Sequence, residues 1–167
     1  FLRILRLFGL FIALILPGLF ICLTVYHPEG MSLSLLTSVM ESQERVPFSL
    51  FTSTLLMLLV FSLISEAGAR VPGAMGSSIS IVGGLSLGQA AVQADLISPL
   101  VIIVVALSGL GSYAVPVYSL TLAVRMAQLF LVLLSGLAGM PGLMLGLFAL
   151  MEHLCGLTSL NVPFFAP

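Results

Sequence analysis

Two pairs of residues invite a catalytic reading. His27 stands near Glu29, and Glu152 precedes His153. Histidines and carboxylates together are the usual material of a hydrolytic metal site. The spacing does not build one: a zinc-binding helix of the H-E-x-x-H type needs a second histidine one turn on, and neither pair has it. A serine nucleophile is not expected either. Cys22 and Cys155 sit far apart in apolar runs, which suits buried, inert thiols better than a disulfide or a ligand pair. No metal, cofactor or enzymatic activity is expected.

A second kind of chemistry is written between Ile79 and Pro99. If this stretch is helical, Ser86, Gln89 and Gln93 share one face at spacings of three and four. Gly84, Gly88 and Ala91 fall on roughly the opposite face, with Gly84 and Gly88 four apart. One side can admit a neighbouring helix, and the other can offer amides to a partner or to water. A further candidate face is Val101, Val104, Val105 and Ser108, where a ring of valines could gate by dewetting or merely pack. Asp95 lies between the two faces.

These residues sit in an apolar chain. Of 167 residues, 60% are hydrophobic and 7% charged, and the mean hydropathy is +1.28. Soluble domains carry about a quarter charged residues, so the composition requires a polytopic membrane protein. The formal net charge of -1 argues against nucleic acid as a partner. Unpaired amides in a membrane are costly and call for an explanation.

Taken in order, Leu5 to Val25 is long enough to span a bilayer, and Pro17-Gly18 is expected to kink it. Tyr26 to Pro47 is the most polar part. Within it Leu33, Leu36, Val39 and Met40 recur at helical spacing, as in a short interfacial helix. A second span is expected from Phe48 to about Ile64, followed by Glu66 and Arg70 at the spacing of a helical ion pair. Ile79 to Ala94 and Leu100 to about Leu110 are short for a crossing and suggest half-length or re-entrant helices. Ser98-Pro99 suits an N-cap and a first-turn proline. Val115-Pro116 opens another span to about Leu134, with Arg125 near its middle. There it serves an ion pathway or a buried pair with Glu66, Asp95 or Glu152. A turn over Gly136 to Pro141 leads to a last helix, Gly142 to about Leu154, with Gly142 and Gly146 as another packing pair. Arg3 and Arg6 favour a cytoplasmic N-terminus, and six crossings then return the C-terminus to that side. The expected fold is an all-α transmembrane bundle forming a single domain over residues 1–167.

Four collinear stretches resemble the membrane domain of the bacterial spore germination GerA family, the A subunits of nutrient germinant receptors. They are Leu16-Pro17-Gly18 with His27-Pro28-Glu29; Glu66-Ala67-Gly68 with Arg70 and Pro72; Ile81-Val82-Gly83 with Gly88-Gln89-Ala90-Ala91-Val92 and Ser98-Pro99; and His153-Leu154 with Val162-Pro163 and Pro167. The resemblance implies a soluble domain upstream and a location in the spore inner membrane. It also implies an oligomeric ion channel working with a transporter-like B subunit and a lipoprotein C subunit. Where the family pattern carries acidic residues and an arginine in the second span, this chain has Ser53, Leu58, Ser62 and Ser65. Gln128 stands where a second basic residue is common, and Leu160-Asn161 also departs from the pattern. The chain therefore also resembles an accessory paralogue. Two rival readings remain at this point: a non-conducting scaffold for partner subunits, and a secondary transporter. The second lacks a repeat of Ile79–Pro99.

Overall fold

A computed structural model describes the backbone of residues 2–71, 75–113, 118–156, 158–159 and 162–163. Pro72, Val115-Pro116, Leu160-Asn161 and Pro167, all invoked above, lie outside the described residues. The architecture is all-α: α1 (Leu2–Ile21), α2 (Leu33–Glu44), α3 (Leu50–Arg70), α4 (Met75–Gln93), α5 (Pro99–Tyr113) and α6 (Tyr118–Gly156). The one strand pairing among the described residues is a two-residue antiparallel contact, Thr158–Ser159 with Val162–Pro163. Three helical stretches are long and apolar enough to cross a bilayer, Arg3–Tyr26, Leu50–Arg70 and Ser119–Gly156.

Pro17 does not end α1, which stays helical on both sides of it. The irregularity comes later. Cys22–Tyr26 widens into a π-helical turn, in which the His27 N–H donates to the Cys22 carbonyl at 3.1 Å. A 3-10 turn, Pro28–Gly30, then leads to α2. On α2, Val39 is buried, while Leu33 and Met40 stay exposed. The second span is longer than its apolar run suggests. Ser49 caps α3 by accepting from the Thr52 N–H at 3.3 Å, and the helix continues six residues past Ile64 to Arg70. Glu66 and Arg70 on its last turn close a 3.2 Å ion pair.

The expected pair of half-length helices is corrected for its first member. α4 starts at Met75 and has 19 residues, which gives a length of about 28 Å, close to a full crossing. α5, with 15 residues, remains short. The turn between them is a Schellman motif. Asp95 adopts φ 51°, its N–H donates to Val92, and the Leu96 N–H reaches back to the Ala91 carbonyl at 3.0 Å. α5 then opens at Pro99, with the Ser98 carbonyl accepting from Val101.

α6 is two helices joined at Gly139, whose φ of 64° and ψ of -137° interrupt the helix. Gly146 comes to lie against Leu131 and Leu134, which is possible only if the second arm folds back along the first. The reversal falls inside the expected Gly136–Pro141 turn. Tyr26 holds it: its ring packs against Gly139, and its hydroxyl donates to the Gly136 carbonyl at 2.7 Å.

α1 packs chiefly between α5 and α6, and α3 packs against α4 and α5. Ile21, Met57, Leu58, Ile97, Val101, Val105 and Val132 form the buried cluster where these helices meet. The closest crossings occur at small residues. Gly68 meets Gly76 and Ser80 between α3 and α4. Gly111 meets the Gly9 carbonyl and Ala13 between α5 and α1. Gly18 faces Ser135 and Leu143 between α1 and α6.

Two substitutions test the turns. Gly139→Ala places a side chain at positive φ against the Tyr26 ring. It is expected to cost about 1–3 kcal/mol in detergent-solubilised unfolding of the full-length protein. Asp95→Gly relieves a left-handed backbone at an exposed turn, and should leave the fold intact and raise stability by about 0.5–1 kcal/mol in the same assay.

Candidate functional site

Between α3, α4 and α5 lies an open cleft of about 720 Å³. Phe61 and Met57 form one wall, Ile102, Ile103 and Ala106 another, and α4 supplies Gly84, Gly88, Gln89 and Gln93. The helical period explains why these residues share one opening. Leu85 and Val92 bridge the amides to the glycines around the helix circumference. The two faces of α4 therefore meet in one cleft rather than serving opposite neighbours. A methyl group added at Gly84 or Gly88 would meet Phe61 or Ile102 only at ordinary van der Waals distance, so neither glycine marks a close helix crossing. Ala91 is half-buried against the core cluster.

Gln89 and Gln93 are exposed at this cleft, and neither amide bonds to another described residue. Ser86 is exposed but off the cleft. It lies at the centre of Gly84-Leu85-Ser86-Leu87-Gly88, which matches the letters of the G-x-S-x-G nucleophile elbow. That motif activates a serine only on a strained turn from strand to helix. Here the string sits in mid-helix, so the letters carry no nucleophile geometry. Asp95 is exposed beyond the helix end, where its backbone makes the turn.

The valine face lies inside the chain. Val101 and Val105 are buried in the core cluster, and Val104 is half-buried. The buried Ser108 hydroxyl donates to the Val105 carbonyl of its own helix at 2.8 Å. Gly142 and Gly146 pack the two arms of α6 together, against Leu134, Ala138 and Leu131.

The charges divide into an exposed pair and a ring contact. Arg70 donates from Nε and Nη2 to Glu66 Oε1, each at 3.2 Å. Arg125 forms no ion pair with Glu66, Asp95 or Glu152 among the described residues. Its guanidinium sits 5.9 Å from the Phe61 ring centroid, close enough for a cation–π contact. Phe61 also lines the cleft, so Arg125 reaches the cleft wall from behind.

Four positions acquire meaning only in three dimensions. Ser53, Leu58, Ser65 and Gln128 all point into the protein, and the Ser53 hydroxyl and the Gln128 amide nitrogen are buried without a hydrogen-bond partner. In the sequence they stand out only by comparison with the family pattern. No group of three or more metal-binding side chains gathers among the described residues. Cys22 is buried with its thiol 3.4 Å from the Met140 sulfur, whereas Cys155 is exposed, contrary to the expectation of two buried thiols.

The Bacillus/Clostridium GerA spore germination protein family matches the chain over residues 1–167. The chain belongs to this family. It is 38% identical over 165 residues to spore germination protein KA of Bacillus subtilis, covering 99% of this chain and 30% of that protein. It is 39% identical over 166 residues to spore germination protein GerLA of Bacillus cereus, covering 99% of this chain and 34% of that protein. It is also similar to a Bacillus subtilis protein described as uncharacterized membrane protein YfkQ, at 37% identity over 164 residues, covering 98% of this chain and 32% of that protein. The chain thus spans about a third of the length of these relatives. No solved structure matches it. This GerA-family segment is helical and apolar enough to cross a membrane, as its composition requires.

The Glu66–Arg70 pair provides a control for the charges. Because Arg70 is 80% exposed, solvent screens the pair, and Arg70→Gln is expected to change stability by less than about 0.5 kcal/mol in detergent unfolding. Phe61→Leu removes the ring under Arg125 and is expected to cost more, about 1–2 kcal/mol, in the same measurement.

Proposed function

We propose that this chain is the membrane domain of a spore germinant-receptor A-type subunit, and that copies of it assemble into an ion channel lined by the amide face of α4. The observation that carries the reading is the pair Gln89 and Gln93, two exposed amides with no partner among the described residues. Lipid cannot satisfy an amide. Water in a path, or a second subunit, can. Gln89 and Gln93 lie four residues apart and present their amides to the same opening. Asp95 follows at the end of the helix, where an acidic group favours cations at a mouth.

In this reading the spore inner membrane is the location, and a transporter-like B subunit and a lipoprotein C subunit are the partners. The names of the relatives support the germination role. The family pattern, with the rest of the receptor outside this segment, supports the subunit role. The chain binds or lines; it does not catalyse.

A second reading is a non-conducting scaffold. The buried Ser53, Leu58 and Gln128 favour it, since they place neutral residues where the family pattern carries charge. On that reading the amides join subunits and no ion moves.

The test is ion flux through the full-length protein in liposomes, comparing wild type with Gln89→Leu and Gln93→Leu at matched assembly. If the amides line the path, each substitution alters flux by about three- to thirtyfold, the range implied by 0.6–2 kcal/mol per membrane amide. Flux that is present and unaltered removes the amide face from the path. An assembled protein that conducts under no activating condition leaves the scaffold reading in place.

A further inference from the structure

Arg125 lies inside the apolar stretch Ser119–Gly156, and no carboxylate among the described residues closes an ion pair with it. Its guanidinium sits instead 5.9 Å from the centroid of the Phe61 ring. That ring is held in place. It borders Gly84 of α4 and fills the notch left by Gly109 of α5, where an added side chain would overlap it. Phe61 lines the cleft between α3, α4 and α5, and Arg125 does not. The charge therefore stands behind a wall. It acts on an occupant of the cleft through its field, without offering that occupant a hydrogen bond.

The distance is short enough for the field to matter. An ion or water touching the ring lies about 4 Å from its centroid, and so within about 10 Å of the guanidinium. At about 10 Å, one unit charge changes the occupancy of another about twofold at ε of about 80 and about fifteenfold at ε of about 20. Nothing nearby offsets it. Glu66 is engaged by Arg70, and Asp95 lies past the far end of α4, more than about 14 Å along the helix from Gly84.

We propose that Arg125 sets the valence preference of the cleft, disfavouring divalent cations relative to monovalent ones where the amide face of α4 passes Phe61. The proposal rests on the channel reading above, in which ions move along that face. A monovalent cation meets the repulsion once and a divalent cation twice. The attraction this gives to anions is countered by Asp95 at the other end, and Phe61 denies them a bond to the guanidinium.

The experiment uses full-length protein in liposomes at low ionic strength, where screening is weak, and reads two quantities. The first needs no conduction. Gly84→Cys places a thiol against the Phe61 ring, where the geometry leaves ordinary van der Waals room. Cys155, which is exposed, is replaced by serine in the same protein. Rates of reaction with a cationic and an anionic methanethiosulfonate are each taken relative to a free thiol in water. The preference for the anionic reagent should fall at least about fourfold in Arg125→Gln, since the reagents differ by two unit charges, and persist in Arg125→Lys. The second quantity is the calcium-to-potassium permeability ratio from bi-ionic reversal potentials. Arg125→Gln should raise it about two- to fifteenfold, and Arg125→Lys should not. An unchanged reagent preference in Arg125→Gln overturns the proposal and leaves the channel reading standing. So does an unchanged permeability ratio in a protein whose flux still responds to Gln89→Leu. If neither reagent reacts, the cleft is dry, and the channel reading falls together with this one. Should Arg125→Gln fail to assemble, the protein with Arg125 intact decides: equal normalised rates for the two reagents overturn the proposal.

Discussion

Helices in a bilayer gain little by leaving lipid for one another, because the tails are as apolar as leucine. Their association rests on close packing and on polar groups that bond across the contact. The fold depends on that constraint at three crossings. Gly68 against Gly76 joins the second span to α4. Gly111 against Gly9 and Ala13 joins α5 to α1. Gly18 faces Ser135 between α1 and α6, and there the Ser135 hydroxyl donates to the Gly18 carbonyl at 2.6 Å. Added side-chain volume at any of these points separates two backbones, and at Gly68 it also separates the α3 and α4 walls of the cleft. The cleft lies between α3, α4 and α5, away from the Gly68–Gly76 contact that joins α3 to α4.

The same solvent dictates how polar side chains are handled. Most hydroxyls turn back onto their own helix, so they are satisfied before any tertiary contact forms. The Ser42–Ser98 contact, 3.0 Å between hydroxyls, is instead tertiary and ties α2 to the turn before α5. Arg125 rests on an aromatic face in place of a carboxylate, which suits guanidinium because it is less strongly hydrated than ammonium. Ser53, Gln128, the Gln43 side-chain oxygen and the amides of α4 stand apart, as groups left unbonded among the described residues.

Much of this was legible in the sequence, and the parts that were not have physical causes. Hydropathy located the spans, Ser98-Pro99 marked the start of α5, and Gly136–Pro141 contained the reversal. The length of α4 was underestimated because its first turn, Met75 to Ser78, is built of small and polar residues that hydropathy does not credit. Gly84 and Gly88 were the most conspicuous packing pair, yet they line the cleft. The close contacts use Gly9 with Ala13 and Gly76 with Ser80, which have the same spacing and less conspicuous surroundings. Spacing identifies helix faces that admit a neighbour; which neighbour arrives is decided by chain reversals such as that at Gly139.

The placement of the valines bears on where ions would travel in the proposed channel. Val101 and Val105 are 0% and 2% exposed, packed against Ile21, Met57 and Val132 in the one buried cluster that α1, α3, α5 and α6 share. Opening a route along that face means removing apolar contacts worth about 25 cal/mol per Å² in aqueous terms, and it leaves a water column beside side chains that cannot hydrogen-bond to it. The outer face of α4 has neither obstacle. Its amides are already exposed and make no hydrogen bond among the described residues. A path on that face has walls only if another copy supplies them, so conduction and assembly become one requirement. This separates the channel from the scaffold physically: in a scaffold the amides are bonded across the contact between copies, whereas in a channel the contact must leave them wet.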